Sequence, residues 1–132
     1  LSCFMQNFLL NNAMANFLNV KDAALMYDLV MKLWEIFNSK FSLDFHTIKY
    51  EDLISNFKGS VLNLLKFLDL SWSDNVSEFY KTSQKRGIIA TPSYNQVNQP
   101  LYSKSIGRWK NYKNELIDGK QYLESWINKY GY

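Results

Sequence analysis

Apolar positions recur at helical spacing over most of the chain. Ala23, Met26, Tyr27, Val30, Leu33, Trp34 and Phe37 mark one face of a helix over about residues 20–40, the strongest element in the sequence. Asn19 followed by Asp22 reads as its N-terminal cap. Met26 and Met31 on this helix are read as core fillers. Before it, Phe4, Phe8, Phe17 and Leu18 suggest a first helix that breaks near Asn11 and Asn12. Phe57, Val61, Leu64, Leu65 and Leu68 predict a third helix. Ser73 and Asp74 cap another, with Val76, Phe79 and Tyr80 on one face. A short helix is expected over about 106–116, then a turn at Asp118 and Gly119. A last helix carries Tyr122, Leu123, Trp126, Ile127 and Tyr130.

Two stretches break this rhythm. Residues 45–50 alternate and contain Thr47 and Ile48, which reads as a strand. One strand cannot be a sheet, so its neighbours must come from sequence outside these residues, from a second chain, or from strands the pattern hides. Over residues 87–105 periodicity disappears, and Ser, Thr, Asn, Gln and Pro take over. An irregular stretch of that length inside a compact domain is usually functional or disordered. No internal repeat and no interdomain linker is visible.

Composition narrows the class. The chain has 132 residues, 47% hydrophobic and 17% aromatic, enough for one domain with a core and too apolar for a disordered segment. A net charge of +3, with scattered lysines, suits a small anion better than a nucleic-acid duplex, and no nucleic-acid partner is expected. The single cysteine, Cys3, excludes an internal disulfide framework. It fits a reducing, cytoplasmic setting and reads as a small buried hydrophobe. No apolar run reaches the roughly 18 residues that would span a bilayer. Residues 1–10 are apolar but lack a basic start and contain Gln6 and Asn7, a poor signal peptide. The first residue is Leu rather than Met, so the chain is expected to be a piece of a longer protein.

The stretch from Gln96 to Trp109 carries the most chemistry. A polar loop, Pro100 and the hydroxyls of Tyr102, Ser103 and Ser105 precede Arg108 and Trp109 at the expected start of a helix. A cation in a first turn opposes the helix dipole, and it makes sense there if an anion sits between the two. Only Arg86 and Arg108 are arginines, the residue suited to fork-like phosphate recognition. The alternative is that Trp109 packs the C-terminal helices and Arg108 is simply solvated. No metal set is expected: His46 is the single histidine and has no partner at ligand spacing. The glycines at 59, 87, 107, 119 and 131 are isolated, so no Gly-rich phosphate loop exists in these residues. Glu51 and Asp52 are read as capping a strand-to-helix transition.

The ordered series Ile48-Lys49-Tyr50-Glu51-Asp52-Leu53, then Leu64-Leu65-Lys66-Phe67-Leu68-Asp69-Leu70-Ser71-Trp72, then Thr91-Pro92-Ser93, then Gln99-Pro100-Leu101-Tyr102 through Arg108-Trp109, resembles the C-terminal half of the sulfotransferases. It looks closest to the bacterial branch often fused to tetratricopeptide repeats, with tyrosylprotein sulfotransferases more distant. The resemblance implies an α/β fold, the C-terminal portion of a P-loop-like sulfotransferase. This piece would be mostly helical with one or two strands, residues 1–132 forming a partial domain without its N-terminal half.

It further implies sulfuryl transfer from 3′-phosphoadenylyl sulfate to a hydroxyl or amine acceptor, without a metal. By resemblance, Ser2 follows a strand whose 3′-phosphate arginine would precede Leu1. Tyr50 lies beside the adenine. Ser93, at the sulfate and bridging phosphate, is the catalytic candidate. Arg108 belongs to the loop over the 3′-phosphate, and Gln96, Tyr102, Ser103 and Ser105 line that loop. Ala90 and Asn98 stand where relatives often carry arginines. The 5′-phosphosulfate loop and the catalytic base belong to the N-terminal half, so this chain alone is expected to be inactive and to expose apolar surface that promotes self-association. The rival reading is a non-catalytic helical interaction module whose aromatic faces around Trp34 and Trp126 bind a partner. A weaker rival is a nucleotide-binding domain of the P-loop kinase type.

Overall fold

The computed structural model describes residues 1–6, 8–9, 11–85 and 94–132. In chain order the helices are α1 (Val20–Lys40), α2 (Tyr50–Ser55), α3 (Phe57–Phe67), α4 (Phe79–Lys85), α5 (Tyr94–Val97) and α6 (Lys120–Tyr130). Short 3-10 turns stand at Met14–Leu18, Asp74–Val76, Ser103–Ser105, Arg108–Tyr112 and Ile117–Gly119. No helix among the described residues is long and apolar enough to cross a membrane.

The expected α/β class is not found. The described residues form helices, turns and irregular chain, with no strand and no sheet. The segment expected as a strand lies in an irregular run over residues 42–49 that forms no ladder, and Tyr50, its expected last residue, opens α2 instead. Alternation specifies an extended, half-covered segment, but a strand exists only when a neighbour takes up its N–H and C=O groups.

The chain divides into two compact units. The first comprises residues 1–43 and 109–132, the second residues 44–108. In the first unit, α1 begins as expected. Asn19 is extended (φ −140°, ψ 158°) and its Oδ1 accepts the Asp22 N–H at 2.8 Å, while its side-chain amide donates to the Asp22 carboxylate. Lys40 lies in the last turn, where a cation suits the helix dipole. α6 packs along α1. Its indole Trp126 is buried and donates from Nε1 to Oδ1 of the buried Asp28 at 2.9 Å. Lys32, one turn on, donates to the other Asp28 oxygen at 2.7 Å. Lys129 pairs with Glu35 and lies 5.6 Å from the centre of the Trp126 ring. Gly119 is buried before α6, where a Cβ would come within 2.8 Å of the Ala24 methyl, so only glycine lets the turn approach α1. α6 ends at Gly131 in the left-handed region (φ 72°). Cys3, expected to be buried, is exposed.

In the second unit, α2 and α3 form a pair around one residue, Asn56. Its N–H closes α2 on the Asp52 carbonyl at 2.9 Å, and its Oδ1 accepts the Gly59 N–H at 3.1 Å to open α3. Ser60 donates back to the same Asp52 carbonyl at 3.2 Å. α3 buries Val61 and ends through Asp69 in the left-handed region (φ 54°), which lets the Leu70 N–H reach the Leu65 carbonyl at 2.8 Å. His46 stacks on Phe67 with ring centres 5.5 Å apart. The short helix expected over 106–116 is instead broken into 3-10 turns, with Gly107 at a positive φ of 64° interrupting any continuous helix. Within 87–105, the described part is not wholly irregular, since α5 and the turn Ser103–Ser105 lie there.

Both hydrogen bonds to Asp28 favour its ionised form, so its carboxyl titrates below the usual range, the Lys32 bond weighing most and the Trp126 bond next. A depressed folded value means that this stabilisation is complete above the ordinary carboxyl value of about 3.9 and is lost as pH falls through the lowered one. Asp28→Asn should therefore lower the melting temperature at pH 7 by on the order of 5 °C, and the gap to the parent protein should narrow as pH drops below about 3.9. Thermal melts by circular dichroism at pH 7 and pH 3 check this; a gap independent of pH would contradict it.

Candidate functional site

Six of the eight residues singled out from the sequence fall in the described part of the second unit: Tyr50, Gln96, Tyr102, Ser103, Ser105 and, at its end, Arg108. Ser93 lies outside the described residues. Ser2 belongs to the first unit, exposed in a turn at residues 2–5. Arg86, Ala90 and Pro92 also fall outside the described residues.

The geometry centres on two tyrosines far apart in sequence. Tyr50, half-buried as the first residue of α2, donates its hydroxyl to the Tyr102 carbonyl at 2.8 Å. The two rings meet edge to face, centres 6.4 Å apart at 66°. Tyr102 is extended (φ −135°, ψ 144°), so the chain runs straight into the turn Ser103–Ser105, where both serines and Lys104 are exposed. Lys104 swings its ammonium to 5.1 Å from the Tyr102 ring centre. Gly107 then turns the chain and Arg108 follows, exposed. On the other side of Tyr102, Gln84 of α4 donates to the Asn98 carbonyl at 2.8 Å, which ties the segment after α5 to α4. Gln96, on α5, is exposed.

This arrangement offers one aromatic ring, two serine hydroxyls and two cations within seven consecutive residues, 102–108, with the Tyr50 ring against them. Aromatic rings suit a purine, and hydroxyls with a guanidinium and an ammonium suit phosphate oxygens. Arg108 opens a five-residue 3-10 turn and not the expected α-helix, so no helix dipole acts on it; its relation to an anion rests on its own charge and on the neighbouring serines.

Sequence reasoning missed two features. Lys104 is not among the residues the pattern selects, although a cation two residues after an aromatic and between two serines marks it. Glu51 and Asn98, close in sequence to Tyr50 and Tyr102, each hold a buried side-chain oxygen with no hydrogen-bond partner. Glu51 and Asp52 do sit in the first turn of α2, where acids suit the dipole, while Lys49 at the cap position gives the helix no side-chain cap bond. Among the described residues, no three His, Cys, Asp or Glu side chains converge as metal ligands. A surface depression lined by Lys21, Ile117, Asp118, Lys120, Gln121 and Glu124 belongs to the first unit and contains none of the selected residues. Trp109, in the first unit, has Lys110 and Lys113 each 5.9 Å from its ring centre.

Comparison with known proteins gives a family and one distant relative. The model of the sulfotransferase domain matches residues 5–128. An uncharacterized protein of Aquifex aeolicus (strain VF5) is 27% identical over 100 residues, covering 76% of this chain and 12% of the relative. The chain thus spans about an eighth of the length of that relative. No solved structure matches.

The Tyr50 bond is open to a direct check. Tyr50→Phe removes the donor that holds the Tyr102 carbonyl, a bond worth about 1 kcal/mol net. The Ile106 amide, which donates to the Ser103 carbonyl at 2.9 Å just beyond, should then exchange its hydrogen roughly 5-fold faster. Amides within α1 should be unchanged. Equal exchange at Ile106 in both proteins would mean that Tyr50 does not hold this segment.

Proposed function

The chain belongs to the sulfotransferase domain family, and from that premise we propose that its second unit holds the adenosine 3′-phosphate end of a 3′-phosphoadenylyl sulfate donor, whose sulfuryl group passes to a hydroxyl or amine acceptor. The observation that carries this reading is the Tyr50 to Tyr102 bond. It joins the aromatic residue matched to the adenine to the very segment that bears Ser103, Lys104, Ser105 and Arg108. In this reading the tyrosine pair flanks the base, Ser103 and Ser105 donate to phosphate oxygens, and Arg108 and Lys104 supply charge. Sulfuryl transfer resembles phosphoryl transfer in asking for positioned donors and charge and for little covalent help from the protein. Ser93 is proposed to donate to the bridging phosphate oxygen, and Gln96 to line the same loop.

The residues fit one end of the donor. Nothing in the sequence supplies a Gly-rich loop for the 5′-phosphosulfate. The 132-residue chain on its own is therefore expected to bind nucleotide without turnover. Incubation with labelled 3′-phosphoadenylyl sulfate and simple hydroxyl or amine acceptors should yield no labelled product, and measurable product would overturn that expectation.

Arg108 is the sharper test. A charge-assisted bond to the 3′-phosphate from an exposed guanidinium is worth about 1.5 kcal/mol, so Arg108→Ala should weaken binding of adenosine 3′,5′-bisphosphate roughly 10-fold. Adenosine 5′-monophosphate, which lacks the 3′-phosphate, should lose much less. Titration calorimetry with both nucleotides on both proteins separates the outcomes. Equal losses would place Arg108 elsewhere on the ligand, and no loss for either would remove it from the site.

A further inference from the structure

Glu51 stands beside the tyrosine pair with part of its chemistry unused. It is the second residue of α2, directly after Tyr50. The side chain is half-buried, yet its Oε2 is shielded from solvent and has no hydrogen-bond partner. A shielded carboxylate oxygen without a donor is costly, because it has given up water and gained nothing in return. Such orphans are rare in folded chains, and each calls for a donor that the chain itself does not supply. Asn98, four residues before Tyr102, holds a second unpartnered oxygen, Oδ1. The two differ in what they can select. An amide carries a donor as well as an acceptor and can turn either one toward a ligand, whereas an ionised carboxylate only accepts. Glu51 is therefore the residue that can tell a donor from an acceptor.

The place of Glu51 in the chain says what the donor is. Its neighbour Tyr50 is held by the hydroxyl bond to the Tyr102 carbonyl and by the edge-to-face contact of the two rings. Consecutive Cα atoms lie about 3.8 Å apart, so a carboxylate on three rotatable bonds reaches a group lying against the Tyr50 ring. Resting on the nucleotide reading above, we infer that Glu51 selects the base: its carboxylate accepts a hydrogen bond from the exocyclic amine of adenine, and a purine without that amine is bound less well. The other groups of the segment cannot make this choice. An aromatic ring stacks on the face of any base. Ser103, Lys104, Ser105 and Arg108 suit phosphate, which every nucleotide shares. A base edge is told apart only by hydrogen bonds that match its own donors and acceptors. The amine of adenine presents N–H donors, the group that the Glu51 oxygen lacks. Because the side chain is only half-buried, rotation about its own bonds is enough to present that oxygen to the base.

Titration calorimetry with two ligands tests it: adenosine 3′,5′-bisphosphate, and purine riboside 3′,5′-bisphosphate, in which hydrogen replaces the amine. Both carry the same phosphates, so the ratio of their affinities isolates the amine. The parent chain should bind the adenosine ligand roughly 10- to 100-fold more tightly, the worth of one hydrogen bond to a charged acceptor. Glu51→Ala should bring the ratio to about 1, because the acceptor is gone. Glu51→Gln keeps a carbonyl oxygen without the charge and should retain a preference of roughly 3- to 10-fold. Loss of the negative charge should strengthen binding of both bisphosphates alike, which leaves the ratio untouched. Circular dichroism confirms the helix content of each variant. If Glu51→Ala does not fold, the parent ratio and Glu51→Gln still decide. A ratio in the variants equal to that of the parent, with both affinities moved together, would give Glu51 a structural role and overturn the inference. A parent that binds both ligands equally overturns the inference and leaves the nucleotide site standing. Binding of neither ligand overturns the nucleotide reading and the inference with it.

Discussion

The first unit depends on one buried carboxylate. Asp28 lies on the inner side of α1, and a charge there is tolerable only when both oxygens have partners. Lys32 satisfies one from the same helix and Trp126 satisfies the other from α6. That second bond fixes how α6 lies on α1. With Trp126 held, Lys129 is placed for Glu35. At the other end of the pair, Gly119 lets the preceding turn come up against Ala24. Asp28 thus commits one side of α1 to α6, and Leu29, Leu33 and Ile36 stand exposed away from it. The inner packing and the outer apolar face are thus two consequences of one register.

The second unit has an analogous tie. Tyr50 reaches across from α2 to a backbone carbonyl in the segment that bears the serines and cations. A backbone acceptor fixes the course of the chain without using up any side chain that a ligand would need, so Ser103, Lys104, Ser105 and Arg108 stay exposed. In this way the short helix α2, packed on α3, holds a polar segment in place. The family match covers both units, from residue 5 to residue 128.

What the sequence makes legible is local. α1 is readable to within a residue because its cap, Asn19 with Asp22, and its periodicity are contained in one stretch. α3 and α6 are readable from periodicity alone, while the Asn56 cap of α3 is seen only in the structure. The failures are relations between distant residues. The alternation at 45–50 is real, yet among the described residues no second strand pairs with it, and the choice between strand and irregular chain is made by that neighbour. The helix expected after residue 105 has adequate apolar spacing, but Gly107 takes a positive φ that the spacing does not disclose. Asp28 gives no signal, because its partner Trp126 is 98 residues away. For the site, the resemblance points to Tyr50 and to the 96–108 segment separately, and the structure joins Tyr50 to Tyr102. Lys104 escapes notice because its contact with the Tyr102 ring depends on the extended backbone between them.

The central claim is that the segment around residues 102–108 and the start of α2 form one surface for an adenosine 3′-phosphate. An amide NMR titration with adenosine 3′,5′-bisphosphate tests it most directly. The account predicts that shifts cluster at Tyr50 and Glu51 and over residues 102–108, and saturate with a single affinity, while the amides of α1 and α6 hold their positions. Shifts confined to α1 and α6, or none at millimolar nucleotide, would contradict it.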